Sequence, residues 1–196
     1  MFLDKINKFK IILGSGSPRR KYLLEGLGIK FNVINKKVKE TYPKGLSCEQ
    51  MAVYLCKVKS DAFDLSALDH NTILITADTI VCLDGIILGK PKNYDEAVKI
   101  LKMLSDNKHK VITGVCIRSV NKTKTFYAST DVFFKHLSNE EISYYVSNYK
   151  PYDKAGAYGI QEWIGLAGCS RIEGSYFNVV GLPVQKLYEE LKEFIS

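Results

Sequence analysis

The sequence lacks the features that mark several large classes of protein. No apolar run approaches the ~20 residues needed to cross a bilayer, and the opening segment MFLDKINKFK is too polar for a signal peptide. No run of five or more lysines and arginines is present, so the formal charge of +7 does not come from a basic tail. We therefore expect a cytoplasmic protein without a membrane partner. Its mild basic excess fits a small polyanionic substrate as well as it fits a nucleic acid.

The cysteines also lack any pattern that predicts a crosslink or a metal site. They are Cys48, Cys56, Cys82, Cys116 and Cys169. No two form a CxxC pair, and each lies among apolar or helical residues. An odd number of scattered cysteines is more typical of reduced thiols than of a disulfide framework or a zinc site. We expect reduced, mostly buried thiols.

What is present is an alternation of apolar runs and helix-start signals. Strands and helices alternate over the first hundred residues, with a capping box at Ser47–Gln50 and an Asp84–Gly85 hairpin signal. The second half predicts a long antiparallel pair over 110–120 and 124–137, then irregular sequence over 151–174 and a strand near 176–180. Pro183 should begin a C-terminal amphipathic helix. This pattern predicts an α/β fold with a mixed sheet, and two lobes with a cleft between them.

The stretch GSGSPRR, residues 14–20, follows a short apolar strand and begins a helix. Ser17 suits an N-cap and Pro18 the first helical position. Arg19 and Arg20 then lie in the first turn, where the helix dipole disfavours each cation by roughly 0.3–1 kcal/mol. A bound phosphate chain would reverse that sign. The loop is not a P-loop, because GxxxxGK[ST] is absent, and two solvated arginines remain the alternative interpretation.

Asp78 interrupts ILITADTIVCL, a stretch whose apolar residues predict burial on both faces of a strand. A carboxylate there must be paired, hydrogen-bonded or bound to a metal, because isolated burial of its charge is very costly. The alternative is an Asp that caps a turn at the end of a strand. The following hairpin could return Lys90 to the level of Asp78.

Two further blocks, DKAGAYGIQ and GSYFNVVGLP, combine small residues with tyrosines, so that backbone groups are open to a ligand. Together with GSGSPRR and ADTIVCLDGIILGKP, in this order, they closely resemble the signature blocks of the Maf family of nucleoside triphosphate pyrophosphatases. The resemblance extends from Ile12 to the last helix. It implies an elongated twisted sheet flanked by helices, as in inosine-triphosphate-pyrophosphatase-like proteins, and a single Maf-like domain over 1–196. It also points to a homodimer.

The resemblance implies hydrolysis of a nucleoside triphosphate between its α and β phosphates, with a divalent cation, Mg²⁺ or Mn²⁺. Asp78 matches the catalytic base, and Glu40, Lys59 and Lys90 match the other catalytic residues. The metal is expected between Glu40 and Asp78, where it would relieve the repulsion of two carboxylates. The phosphate-contacting positions are Ser15, Ser17, Arg19 and Arg20.

Base choice divides the family, and the branch that acts on dTTP and UTP carries Arg, Thr and Gln at three positions. These fall on Arg19, Thr79 and Gln161. A Gln amide can accept from uracil N3–H while it donates to a ring carbonyl, and cytosine presents the opposite pattern. We expect dTTP and UTP as substrates, with CTP and modified pyrimidine nucleotides left open. The alternative within the family is a pyrophosphatase for 7-methyl-GTP or another modified nucleotide.

Two positions depart from the family pattern. Glu162 stands where the family usually has Gly, so that a carboxylate beside the base pocket could alter selectivity. Gly14 replaces a commoner Ala and is expected only to loosen the loop. A nucleic-acid-binding module is a distant alternative, because the two arginines are confined to one loop and acidic residues are spread throughout. A catalytically inactive relative is disfavoured by the presence of all four catalytic residues.

Overall fold

The computed structural model describes residues 1–38, 41–43, 45–64 and 69–196. Within these residues the chain forms one mixed seven-stranded sheet of order β2-β1-β3-β5-β6-β7, with β4 paired to β3 outside this order. Strand β1 runs parallel to β2 and β3, and the remaining pairs are antiparallel. The strands are β1 (Lys10–Leu13), β2 (Phe31–Val33), β3 (Thr72–Leu83), β4 (Ile86–Leu88), β5 (Lys108–Arg118), β6 (Thr123–Phe134) and β7 (Cys169–Glu173).

Eight α-helices flank this sheet in the described part of the chain. They are α1 (Phe2–Ile6), α2 (Pro18–Glu25), α3 (Cys48–Asp61), α4 (Tyr94–Leu104), α5 (Asn139–Tyr149), α6 (Trp163–Gly168), α7 (Tyr176–Val180) and α8 (Val184–Phe194). Local side chains fix where several of them begin. Ser47 and Ser138 each form a complete capping box, and Asn93 accepts a hydrogen bond from the backbone N–H of Glu96.

The core lies on both faces of the central strand β3. Every residue of β3 except Thr79 is buried, because helices cover the sheet on each side. The larger apolar cluster joins the sheet to α2, α4, α5 and α8. A second cluster lies under α3, which contacts β3 and β5. At Gly114 of β5 an added Cβ would collide with the backbone of Ala52, so that only glycine lets α3 approach this closely.

The predicted fold class, an α/β protein with a mixed sheet flanked by helices, is confirmed. The capping-box helix, the hairpin, the long antiparallel pair and the C-terminal helix are confirmed within a few residues at their ends. The strand near 176–180 is wrong, because Ser175 caps a short helix there and buried Asn178 bonds to Val111 and Thr130. The segment 151–174 is also more regular than predicted, since it contains α6 and β7.

One disulfide corrects the expectation of reduced cysteines. Cys48 at the first turn of α3 is bonded to Cys82 near the end of β3, with their Cα atoms 6.5 Å apart. Cys56 and Cys116 are free and buried, as predicted, and Cys169 is free and half-buried. The pair was not predictable from local sequence, because only the packing of α3 across the sheet brings two residues 34 positions apart together. Among the described helices none has the length and apolar character to cross a membrane.

Candidate active site

A cleft of about 420 Å³ lies where several separate segments of the chain meet. They include the loop after β1, the last turn of α3, the centre of β3, the residues after β4, the 153–162 segment and the end of α7. Nine of the ten residues predicted for the site line this cleft: Ser15, Ser17, Arg19, Arg20, Lys59, Asp78, Thr79, Lys90 and Gln161. The tenth, Glu40, lies outside the described residues. Residues distant in sequence therefore converge on one cavity of a size suited to a small ligand.

Asp78 and Lys59 form an ion pair at the floor of the cleft. The ammonium of Lys59, in the last turn of α3, contacts Asp78 Oδ1. Both groups are largely shielded, with side-chain exposures of 12% for Asp78 and 23% for Lys59. Asp78 lies in the middle of β3, opposite Gly114, so the alternative of a strand-end cap is wrong. The pair compensates the cost of burying the carboxylate and leaves it facing the cleft.

Arg20 ties three parts of the cleft together. Its guanidinium donates from Nη1 to Ser15 Oγ at 3.3 Å and from Nη2 to Thr79 Oγ1 at 3.0 Å. Nε donates to the carbonyl of Gly181 at 2.9 Å. Arg20 thus joins the loop after β1 to β3 and to the end of α7. This bridging role is additional to the predicted phosphate contact. The fixed fork of an arginine suits this kind of bridging.

The loop after β1, which we term the first loop, is held by its serine hydroxyls and by close packing. Ser17 caps α2 by accepting from the Arg20 N–H, and its own N–H donates to Ser15 Oγ at 3.2 Å. A Cβ added to Gly14 would lie 2.7 Å from Thr76 Cγ2. An alanine here would therefore force a neighbour to move, and the expected loosening of the loop by Gly14 stays a prediction.

Alternating charges line the opposite side of the cleft. Arg19 Nη1 lies 3.7 Å from Asp153 Oδ2, and Lys154 Nζ lies 2.7 Å from Asp153 Oδ1. Lys154 Nζ also lies 3.0 Å from Glu162 Oε1. Partial burial alone would raise the pKa of Asp153, but the hydrogen bond from Lys154 and the charges of Lys154 and Arg19 hold it below its usual value.

The series of charged contacts from Arg19 through Asp153 and Lys154 to Glu162 ends at the buried hydroxyl of Tyr145. Tyr145 of α5 is fully buried, and its hydroxyl donates to Glu162 Oε2 and accepts from the Gly159 N–H. Burial, followed by the hydrogen bond and negative charge of Glu162, raises the pKa of Tyr145 well above its usual range. Tyr145 therefore stays a neutral donor at any ordinary pH.

Sequence reasoning missed most of this series. Lys154, Asp153 and Tyr145 were not identified as site residues, and Glu162 was recognised only as a departure from the family pattern. Asp153 and Lys154 do begin the DKAGAYGIQ block, which is a signal that could have included them. Nothing in the sequence marks Tyr145 as a site residue, because its position is that of an ordinary core residue of an amphipathic helix.

The described residues contain no group of three or more His, Cys, Asp or Glu side chains that could hold a metal ion by themselves. The described carboxylates that line the cleft are Asp78, Asp153 and Glu162. Each of them lies beside a lysine ammonium. Any cation here would therefore share its ligands with a bound molecule or with residues outside the described part.

A family model for Maf-like proteins matches residues 10–194. The chain belongs to the Maf-like protein family. Among its Maf relatives, a Porphyromonas gingivalis protein named dTTP/UTP pyrophosphatase is 52% identical over 98% of each chain. A Phocaeicola vulgatus protein of the same name is 53% identical over 97% of this chain and 99% of its own.

One solved structure also resembles this Maf protein in part. The Staphylococcus aureus Ham1 protein matches with a TM-score of 0.41 and 16% identity, over 64% of this chain and 71% of its own. All four sequence blocks that resemble the Maf signature contribute residues to the cleft.

Proposed function

We propose that this Maf protein hydrolyses dTTP and UTP to the nucleoside monophosphate and pyrophosphate. The observation that carries the proposal is the convergence of nine predicted site residues on one cleft. It is supported by relatives of about half-identical sequence that bear the name dTTP/UTP pyrophosphatase. The cleft is rich in cations, from Arg19, Lys59, Lys90 and Lys154, which suits a ligand with several negative charges.

In this proposal Asp78 takes a proton from a water that attacks the α phosphorus. The bond from the α phosphorus to the bridging oxygen breaks, and pyrophosphate leaves with the electron pair of that bond. Lys59 orients Asp78 through their ion pair, and Lys59 and Lys90 stabilise the negative charge that accumulates on the leaving group. Arg20 and Ser15 hold the loop whose N–H groups and Arg19 meet the phosphates.

We also propose that a divalent cation, Mg²⁺ or Mn²⁺, takes part. Mg²⁺ keeps several waters and is held by one or two carboxylates together with substrate phosphates, so a full protein cage is not needed. Asp78 fits this donor chemistry as a carboxylate that faces the cleft, and Glu40 is proposed as the second. When bound, the cation would neutralise phosphate oxygens and lower the pKa of a bound water.

Base choice is proposed to depend on Arg19, Thr79 and Gln161. Gln161 is exposed at the rim of the cleft, where its amide is available to a uracil or thymine edge. Thr79 Oγ1 accepts from Arg20 and lies 2.9 Å from Thr113 Oγ1, so its orientation is fixed by neighbours. We propose further that the protein acts in the cytoplasm and that it is a homodimer of single Maf-like domains. Light scattering of the purified protein tests the dimer.

A nucleotide panel tests the proposed activity. The purified protein is incubated with dTTP, UTP, CTP, GTP and 7-methyl-GTP in the presence of Mg²⁺ or Mn²⁺, and pyrophosphate is separated from orthophosphate. We expect equal amounts of monophosphate and pyrophosphate, with the highest kcat/KM for dTTP and UTP. Release of orthophosphate would contradict the reaction, and a preference for GTP or 7-methyl-GTP would contradict the base choice.

A further inference from the structure

The segment that carries Gln161 is a tight turn without a regular strand or long helix to hold it. The backbone N–H of Glu162 donates to the carbonyl of Gly159 at 3.0 Å, which closes the turn around Gln161. A Cβ added to Gly159 would lie 2.7 Å from Glu162 Cδ, so the two ends of the turn are in close contact. Such a turn keeps its side-chain directions only if outside groups fix both ends.

One hydroxyl fixes both ends of this turn. Tyr145 Oη accepts from the Gly159 N–H at 3.0 Å and donates to the Glu162 carboxylate. Tyr145 is itself immobilised, since it is fully buried and stacks on Tyr149 with ring centroids 5.0 Å apart. The buried phenol therefore sets the spacing between the residues that flank Gln161.

The other oxygen of Glu162 is bound by a second group. Lys154 Nζ lies 3.0 Å from Glu162 Oε1, and the Lys154 side chain is only 11% exposed. With one oxygen held by Tyr145 and the other by Lys154, the carboxylate is fully engaged on the protein side. Glu162 therefore lies beside the predicted base pocket with both carboxylate oxygens bound to protein groups.

We propose that Tyr145, Glu162 and Lys154 are positioning residues that set base selectivity by fixing the turn that carries Gln161. This inference rests on the proposed function, because it assumes that Gln161 meets the base. Selection between uracil and cytosine depends on where one amide meets the base, and a turn that moves would let that amide meet either pattern. A glycine at position 162 could not make these contacts, so this chain uses a support that the common family pattern lacks.

The test compares variants for base preference as well as for turnover. Tyr145→Phe removes the hydroxyl and keeps the ring, and Glu162→Ala removes the carboxylate at a half-buried position. We expect each to raise the KM for UTP about tenfold, the effect of one well-placed hydrogen bond, with kcat changed less than twofold. The preference for UTP over CTP should fall by a similar factor. Glu162→Gln, which keeps a hydrogen-bonding group, should lose less than Glu162→Ala.

A double-mutant cycle separates positioning from general damage. If Tyr145 acts through Gln161, then Tyr145→Phe should add nothing to the loss of preference in Gln161→Ala. Tyr144→Phe is the matched control, because it removes an exposed hydroxyl from the neighbouring position of α5 and should match wild type. Thermal unfolding checks that each variant is folded.

Two outcomes overturn the inference and can be distinguished from failure of the proposed function. If wild type prefers UTP but Tyr145→Phe and Glu162→Ala keep that preference, the positioning role is wrong while the activity stands. Additive losses in the cycle would overturn it in the same way. If wild type releases no pyrophosphate from any pyrimidine nucleotide, the proposed function itself has failed.

Discussion

The two sides of the cleft are built in different ways. On one side, which we term the sheet wall, Lys59, Asp78 and Thr79 are carried by α3 and by the central strand β3. On the other, the loop wall, Asp153, Lys154, Gln161 and Glu162 belong to a segment whose only regular structure is a short 3₁₀ turn at Ala155–Ala157. Asp78 lies within a long strand that is paired with β5 at this point, opposite Gly114, whereas side-chain contacts hold Glu162.

This difference suggests a division of labour within one cavity. Atoms that must meet a reacting phosphorus need the rigidity of a central strand, because small displacements are costly for catalysis. Of the groups proposed to choose the base, Thr79 lies in the sheet wall, but Gln161 lies on a loop, where substitutions alter selectivity without disturbing the sheet. Variants on the two sides should therefore have separable effects.

The largest effect is expected from Asp78→Asn in the sheet wall. The amide keeps the size of the carboxylate but cannot act as a general base, so kcat should fall by about 10²–10⁴ for every nucleotide alike. The variant should still fold, because the amide oxygen can still accept from Lys59, and its nucleotide binding without added divalent cation should change little. Steady-state kinetics and calorimetric binding measure the two quantities.

Asp84→Asn is the matched control for that experiment. It makes the same chemical change at the exposed hairpin after β3, where Asp84 has a φ of 48° that asparagine readily adopts. It should behave as wild type. Activity of Asp78→Asn within twofold of wild type would remove Asp78 from the proposed mechanism and with it the catalytic role of the sheet wall.

A second effect on the sheet wall is expected from its disulfide. The Cys48–Cys82 bond closes a loop of 34 residues between α3 and β3, the elements that carry Lys59 and Asp78. Loop-closure entropy predicts that reduction lowers the free energy of unfolding by roughly 3–4 kcal/mol. Urea unfolding with and without reductant measures this change.

The double variant Cys48→Ser/Cys82→Ser should reproduce the reduced protein and show no further response to reductant. Cys169→Ser, at a free half-exposed cysteine, serves as the control and should keep the response of wild type. Two titratable thiols at Cys48 and Cys82 in protein purified without reductant would contradict the bond itself.

The same contrast explains how far the sequence could predict the molecule. The capping box at Ser47 and the hairpin at Asp84 were predictable, because both depend on residues within four positions of one another. The 176–180 strand was wrong, since YFNVV has strand-like residues, whereas the Ser175 cap and the tertiary bonds of Asn178 favour the helix. Family resemblance identified the residues that line the sheet wall, but not how Arg20 reaches Gly181, 161 residues away.

The loop wall was the least predictable part for the same physical reason. Its contacts join Arg19 to Asp153 and Tyr145 to Glu162, and no local period or cap signals such long-range pairs. Glu162 could be noticed as unusual, but whether it faced the base or the protein depended on a phenol from another helix. Burial and pairing of charged groups appear only once the elements are packed.

The smallest of these effects is expected when the pH is lowered, because a buried histidine lies next to the loop wall. His109 is buried, with Nε2 2.8 Å from the hydroxyl of Tyr158, which lines the cleft next to Gly159. Burial lowers the pKa of His109 to about 4, against 6.5 for an exposed histidine, although Asp131 opposes this shift. Below pH 6.5 His109 therefore takes up a proton in the unfolded chain but not in the folded one. The free energy of unfolding falls as the pH drops towards 4.

From these two pKa values, His109 should lower the free energy of unfolding by about 2 kcal/mol between pH 7 and pH 5. His109→Gln cannot take up that proton, so its urea-unfolding free energy should lack this part of the decline, and the difference between the two proteins isolates it from the carboxylates. His136→Gln is the control at an exposed position and should follow wild type. Parallel pH profiles for wild type and His109→Gln would mean that His109 is protonated in the folded protein, and that the support behind the loop wall does not depend on a neutral imidazole.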